Sequence, residues 1–191
     1  MVTTASVADP VAVEDTTNAA ANFSNTLDGG NLGLCDNTQQ ETAQSFREAT
    51  SKLLVAVDIK IGKTGTPPKN LIVSIVPSGD GGASRSAEVA SSTILQTNVP
   101  GTPAAIRVNF FPAVYVPANQ FMWIRIRCVD GTQDAVNPYL LPRDGTGNYS
   151  PGTRANWNGT SWINQDGADI VFTAYDAGTT AGNVYIATAA A

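Results

Sequence analysis

Five short stretches of this chain alternate apolar residues with a period of two, and breaks of small, polar, glycine or proline residues separate them. In the stretch 53–61, Leu53, Val55, Val57, Ile59 and Ile61 are predicted on one face, with Leu54, Ala56, Asp58 and Lys60 on the other. The same alternation places Leu71, Val73 and Ile75 together, then Ile106, Val108 and Phe110, then Met122, Ile124, Ile126 and Cys128, then Ile170, Phe172 and Ala174. A period of two sends successive side chains to opposite faces, as a half-buried strand requires. "GKTGTPPKN" and "PSGDGG" cannot continue a strand, and nothing between the strands reads as the crossover helix of a parallel sheet. The expected fold is therefore all-β, an antiparallel sandwich.

Other segments are less one-sided. "QETAQSFREATSKL" fits helix and strand about equally by propensity, and "SAEVASSTIL" also allows either. Residues 130–153 read as a long loop, a kind of segment that usually serves function or a partner. Asn158-Gly159 is a pair suited to a type I′ hairpin turn, with Trp157 and Trp162 covering the strands on either side. The tail "GTTAGNVYIATAAA" holds one more alternating piece, Val184 and Ile186, suited to an edge strand.

Composition narrows the function. Charged residues are 14% of the chain, against roughly 25% in typical soluble domains, and the net charge is −5 with no cluster of Lys or Arg. Phosphate backbones and anionic lipid surfaces need concentrated positive charge, so neither nucleic acid nor membrane is an expected partner. Histidine is absent, which removes the commonest general base and zinc ligand; no GxSxG or SxxK spacing appears, and the carboxylates are scattered among turns. We therefore expect no enzyme activity, no cofactor and no metal. "DGGN" at 28–31 and Asp144 with Asn148 resemble the start of a calcium loop but lack its further carboxylates. The sequons at Asn22, Asn148 and Asn158 fit chance in a chain rich in Asn and Thr. Cys35 and Cys128 lie far apart and form no CxxC; two buried thiols are expected, with a structural disulfide as the alternative.

The N-terminal stretch shows no basic n-region followed by an apolar h-region, which sets the expectation of synthesis in the cytoplasm without export. Residues 1–41 contain too few large apolar groups to offset their own ordering entropy, so they are expected to be an arm held by a neighbouring subunit.

Taken in order, "AQSF" at 43–46, "GTPPKNLIVSIV" at 65–76, "VYVPANQFMWIRI" at 114–126, "NGTSW" at 158–162 and "DIVFTAYDAG" at 169–178 resemble a family. It is that of the jelly-roll modules, similar to carbohydrate-binding modules, found in phage virion proteins and bacterial surface proteins. The resemblance implies strand for the "AQSF" segment and a jelly-roll β-sandwich over 42–178, with an N-terminal arm at 1–41 and a C-terminal tail or extra edge strand at 179–191. It also implies a non-enzymatic virion structural protein of a tailed phage, such as a capsid decoration or cement protein or a small head or tail fibre component. Such a protein is assembled in the host cytoplasm, and its partners are other virion proteins and copies of itself. The alternative is a carbohydrate-binding adhesin module, with Trp123, Tyr139, Tyr149 and Trp157 as the candidate contacts for glycan or partner.

Overall fold

A computed structural model describes residues 21–25, 30–36, 39–77, 88–132, 134–144, 152–165 and 168–177. The expected arm residues 1–20 and the tail 179–191 lie outside the described residues, as do Asp28, Asn148 and Tyr149.

The strands in chain order are β1 (Ala21–Asn25), β2 (Asn31–Leu34), β3 (Glu41–Arg47), β4 (Lys52–Lys63), β5 (Leu71–Pro77), β6 (Ala90–Ile94) and β7 (Ala104–Val116). They continue as β8 (Phe121–Cys128), β9 (Tyr139–Asp144), β10 (Arg154–Trp157), β11 (Trp162–Gln165), β12 (Asp169–Ile170) and β13 (Phe172–Asp176). They make two antiparallel sheets. The six-stranded sheet runs β11-β10-β3-β8-β5-β6; the seven-stranded sheet runs β1-β13-β4-β9-β12, with β2 beside β9 and β7 beside β4. One main core of alternating apolar residues lies between them, including Ile59, Ile61, Val73, Ile75, Ile124 and Ile126. The chain is a β-sandwich. Both segments that propensity left open, "QETAQSFREATSKL" and "SAEVASSTIL", contribute strands, β3 and β6.

The faces expected for β5, β7, β8 and the last strand point into the core. The face expected for β4 holds only from Val57 onward, because the register against β7 shifts between Leu54 and Ala56. A bulge inserts residues on one strand and reverses the alternation beyond it. Leu54 therefore enters the core with Val57, Ile59 and Ile61, while Leu53 is 49% exposed.

Three further expectations are corrected. The stretch 130–153 is not one long loop: it contains β9, whose Tyr139 and Leu141 are fully buried. The "DIVFTAY" stretch is not one strand: Val171 separates β12, which pairs with β9, from β13, which pairs with β4. Asn158-Gly159 does not make a two-residue type I′ turn; Trp157 pairs with Trp162 across a four-residue loop in which only Gly159 has positive φ, at 99°. The Asn158 side chain accepts the backbone N–H groups of Thr160 (2.9 Å) and Ser161 (3.0 Å), so a side-chain-closed turn replaces the tighter one.

The segment before residue 42 supplies β1, on β13, and β2, on β9, so among the described residues it contributes two strands to the seven-stranded sheet. Cys35, just after β2, forms a disulfide with Cys128 at the end of β8, with Cα atoms 5.9 Å apart. The thiols expected free are thus one covalent tie between the two sheets. Cα atoms at this spacing bridge without backbone movement, and both residues are already buried in the core.

On the outer face of the seven-stranded sheet, Arg107 donates to both carboxylate oxygens of Asp58 (2.8 and 3.0 Å), and the Tyr175 hydroxyl donates to one of them at 2.8 Å. The Arg107 guanidinium also lies 4.1 Å over the Tyr175 ring centroid. Burial pushes the Asp58 pKa up, but the bonds from Arg107 and Tyr175 outweigh it and hold the carboxyl below its ordinary value of 3.8.

Because the folded pKa is depressed, this carboxylate stabilises the fold above the unfolded pKa, and that contribution is lost as pH falls through the folded one. A chemical-shift titration should place the Asp58 midpoint below 3.8, and Arg107→Ala should move it upward. The disulfide spans a sequence separation of 93. Replacing both cysteines with alanine should cost about 2–5 kcal/mol in urea unfolding, and a reductant should no longer affect the variant.

Candidate functional site

The outer face of the six-stranded sheet gathers side chains from five strands into aligned rows. In one row Trp162, Trp157, Glu41, Arg127 and Ile72 lie opposite one another, from β11 through β10, β3 and β8 to β5. The next row holds Asn164, Ala155, Ala43, Arg125 and Ser74. This arrangement follows from the alternation of β8, which sends Ile124 and Ile126 inward and Trp123, Arg125 and Arg127 outward.

Arg125 is 7% exposed and Glu41 4% exposed, unusual values for charged groups on an outer face. The Arg125 guanidinium pairs with Glu88 at 2.5 Å and lies 3.6 Å from Glu41. Arg127 reaches the same Glu88 oxygen at 3.1 Å. One carboxylate thus spans two arginines two positions apart on β8, and a second closes on Arg125 from β3. Beside them opens a cleft of about 530 Å³ lined by Glu41, Arg125, Arg127, Asp130 and Gly131. Asp130 has positive φ (60°) in the turn after β8, which carries its side chain out to 74% exposure at the cleft margin.

Below the arginines, Trp123 packs with Ala43, Val76 and Ala155 in a second small core, against which Trp162 rests. The small residues Ala43 and Ala155 leave room for the indole. The Trp157 and Trp162 rings are tilted by 56° with centroids 5.8 Å apart, and Trp157 stands opposite Glu41 in the register.

The three candidate contacts among the described residues, Trp123, Tyr139 and Trp157, do not come together as one site. Trp123 is 1% exposed, inside this second core, and its neighbours Arg125 and Arg127 on β8 both reach Glu88. Tyr139 is fully buried in the main core, its hydroxyl donating to the Lys69 carbonyl at 2.5 Å, and burial pushes its pKa up to about 12. Tyr149 is outside the described residues. Trp157 remains, half-buried beside the cleft. The residues that reading by sequence missed are Glu41, Glu88 and Asp130. Glu41 becomes visible once "ETAQSF" is taken as a strand; Asp130 lies in the turn directly after β8, and Glu88 comes from the connection between β5 and β6, which no local pattern joins to β8.

Among the described residues, no group of three or more His, Cys, Asp or Glu could hold a metal ion. Asp144 is buried in β9 opposite Asp169 of β12, and Asp169 accepts a bond from the Gln44 amide at 2.8 Å. The cleft itself offers guanidinium donors and carboxylate acceptors, the chemistry of recognising a polar partner by hydrogen bonds. No protein-family model matches the sequence, and a search of curated proteins finds no match.

Removing Arg125 leaves the Glu41 carboxylate buried beside a cavity. Arg125→Ala should cost about 3–5 kcal/mol by denaturant unfolding, whereas Arg127→Ala, whose side chain is 24% exposed, should cost less than about 1 kcal/mol.

Proposed function

We propose that this protein is a non-enzymatic structural protein of a phage virion, a jelly-roll module that engages its partner through the outer face of the six-stranded sheet. The observation that carries the reading is that face itself. A half-buried tryptophan pair and a cleft bordered by paired charges are mounted on strands, and a rigid element presents a recognition surface more accurately than a loop does. The ordered resemblance of its motifs to virion modules points the same way. So does the Cys35–Cys128 disulfide, since such bonds are rare in reducing cytosol and persist on particles outside the cell. Virion proteins and further copies of this chain are the partners, and the particle is the location.

A second reading, a carbohydrate-binding adhesin, draws on Trp157 standing opposite Glu41 at the cleft. Tryptophan faces and paired polar groups also suit sugar rings.

One experiment weighs both. Arg127→Glu and Trp157→Ala variants with unchanged circular dichroism are followed for incorporation into particles, and the wild type is applied to a glycan array. At least a tenfold loss of incorporation with no glycan signal is the expected result. Normal incorporation of both variants would overturn the structural reading, and glycan binding lost in Trp157→Ala would favour the adhesin.

A further inference from the structure

The other outer face carries a feature that the recognition cleft does not use. Leu53, Phe111 and Tyr115 are 49%, 74% and 61% exposed, three of the seven exposed large apolar residues among those described. They are neighbours: Leu53 of β4 lies directly opposite Tyr115 of β7, and Phe111 sits in the bulged part of β7, between the residues paired to Ala56 and Leu54. Contiguous apolar surface of this kind usually has a cover.

The chain leads to this place. The Ala177 N–H donates to the Leu53 carbonyl at 2.9 Å, so the backbone leaves β13 at the edge of the patch. The residues that follow, 178–191, contain no charge and include Val184 and Ile186, whose alternation gives one apolar face, with Gly178 and Gly182 to permit a reversal. Six residues separate Ala177 from Val184 and can span up to ~20 Å, whereas paired strands lie only about 5 Å apart.

We propose that the Val184–Ile186 segment of the same chain packs over Leu53, Phe111 and Tyr115 as a strap. A linker this short holds the segment near the patch at an effective concentration on the order of millimolar, so the chain's own segment outcompetes a second copy at micromolar protein. The contact is made on the sheet face. At Phe111 the bulge and Pro112 interrupt the edge of β7 and disfavour an added strand. The Asp58–Arg107–Tyr175 cluster supplies a polar border on the same face.

The test places a photo-crosslinker, Phe111→p-benzoylphenylalanine, in the full chain, at a side chain exposed enough not to disturb folding. An equal mixture of nitrogen-15-labelled and unlabelled protein is irradiated, digested and read by mass spectrometry. The expected product joins position 111 to a peptide containing Val184–Ile186 with both halves of one isotope, and Val184→Ser with Ile186→Ser lowers its yield at least fivefold. Mixed-isotope products would assign the patch to a second copy and overturn the strap. Capture of another segment, no capture of this peptide, or a yield unchanged by the serine variants would overturn it equally.

Discussion

The fold depends on β8 being buried on both faces. Inward, Met122, Ile124, Ile126 and Cys128 join the main core, and Cys128 carries the bond to Cys35. Outward, Trp123 and Arg125 are almost as deeply covered. A strand covered on both sides cannot slip by one residue, since a slip would drive Arg125 and Arg127 into the apolar core and Ile124 and Ile126 out of it. With β8 held in register, β3 and β5 beside it follow, and Glu41 and Ser74 take positions flanking the arginines.

A second constraint operates at the other end of the six-stranded sheet, where the core turns polar. Arg154 is 1% exposed and faces inward; its guanidinium donates to the Ala168 carbonyl at 2.8 Å and to the Asn156 amide oxygen at 3.1 Å. Burial, helped by the charge of Arg143 and opposed by Asp169, lowers its pKa to about 10, so it remains charged at neutral pH. Asn156 also accepts from Thr42 and donates to Gln39, while Gln44 donates to Asp169 and accepts the Ile170 N–H. Apart from the Arg154–Asn156 bond inside β10, each bond ties β3 or β10 to a neighbouring strand or loop, so the polar groups specify a pairing that apolar contacts alone would leave less definite. The short strand β10 is held there by side chains as much as by its ladder.

The two outer faces follow different designs. On the six-stranded sheet, ion pairs and tryptophans cover one another and leave a polar cleft. On the seven-stranded sheet, the Asp58 cluster adjoins uncovered apolar groups. The proposed recognition surface and the proposed strap thus fall on the opposite outer faces of the sandwich.

Much of this was legible in the chain. The period of two in 71–75, 106–110 and 122–128 determined strands, their inward faces and the all-β class, because alternation has a single geometric meaning on a pleated strand. It equally determined that Trp123, Arg125 and Arg127 share a face. What needed the tertiary structure was everything that depends on a distant segment: the bulge that reverses β4 at Val55, the bond between Cys35 and Cys128, the burial of Tyr139, and the arrival of Glu41 and Glu88 at the arginines. Periodicity reports which way a side chain points relative to its own neighbours. Only packing decides what it meets there, because the meeting is set by long-range register and not by any local preference.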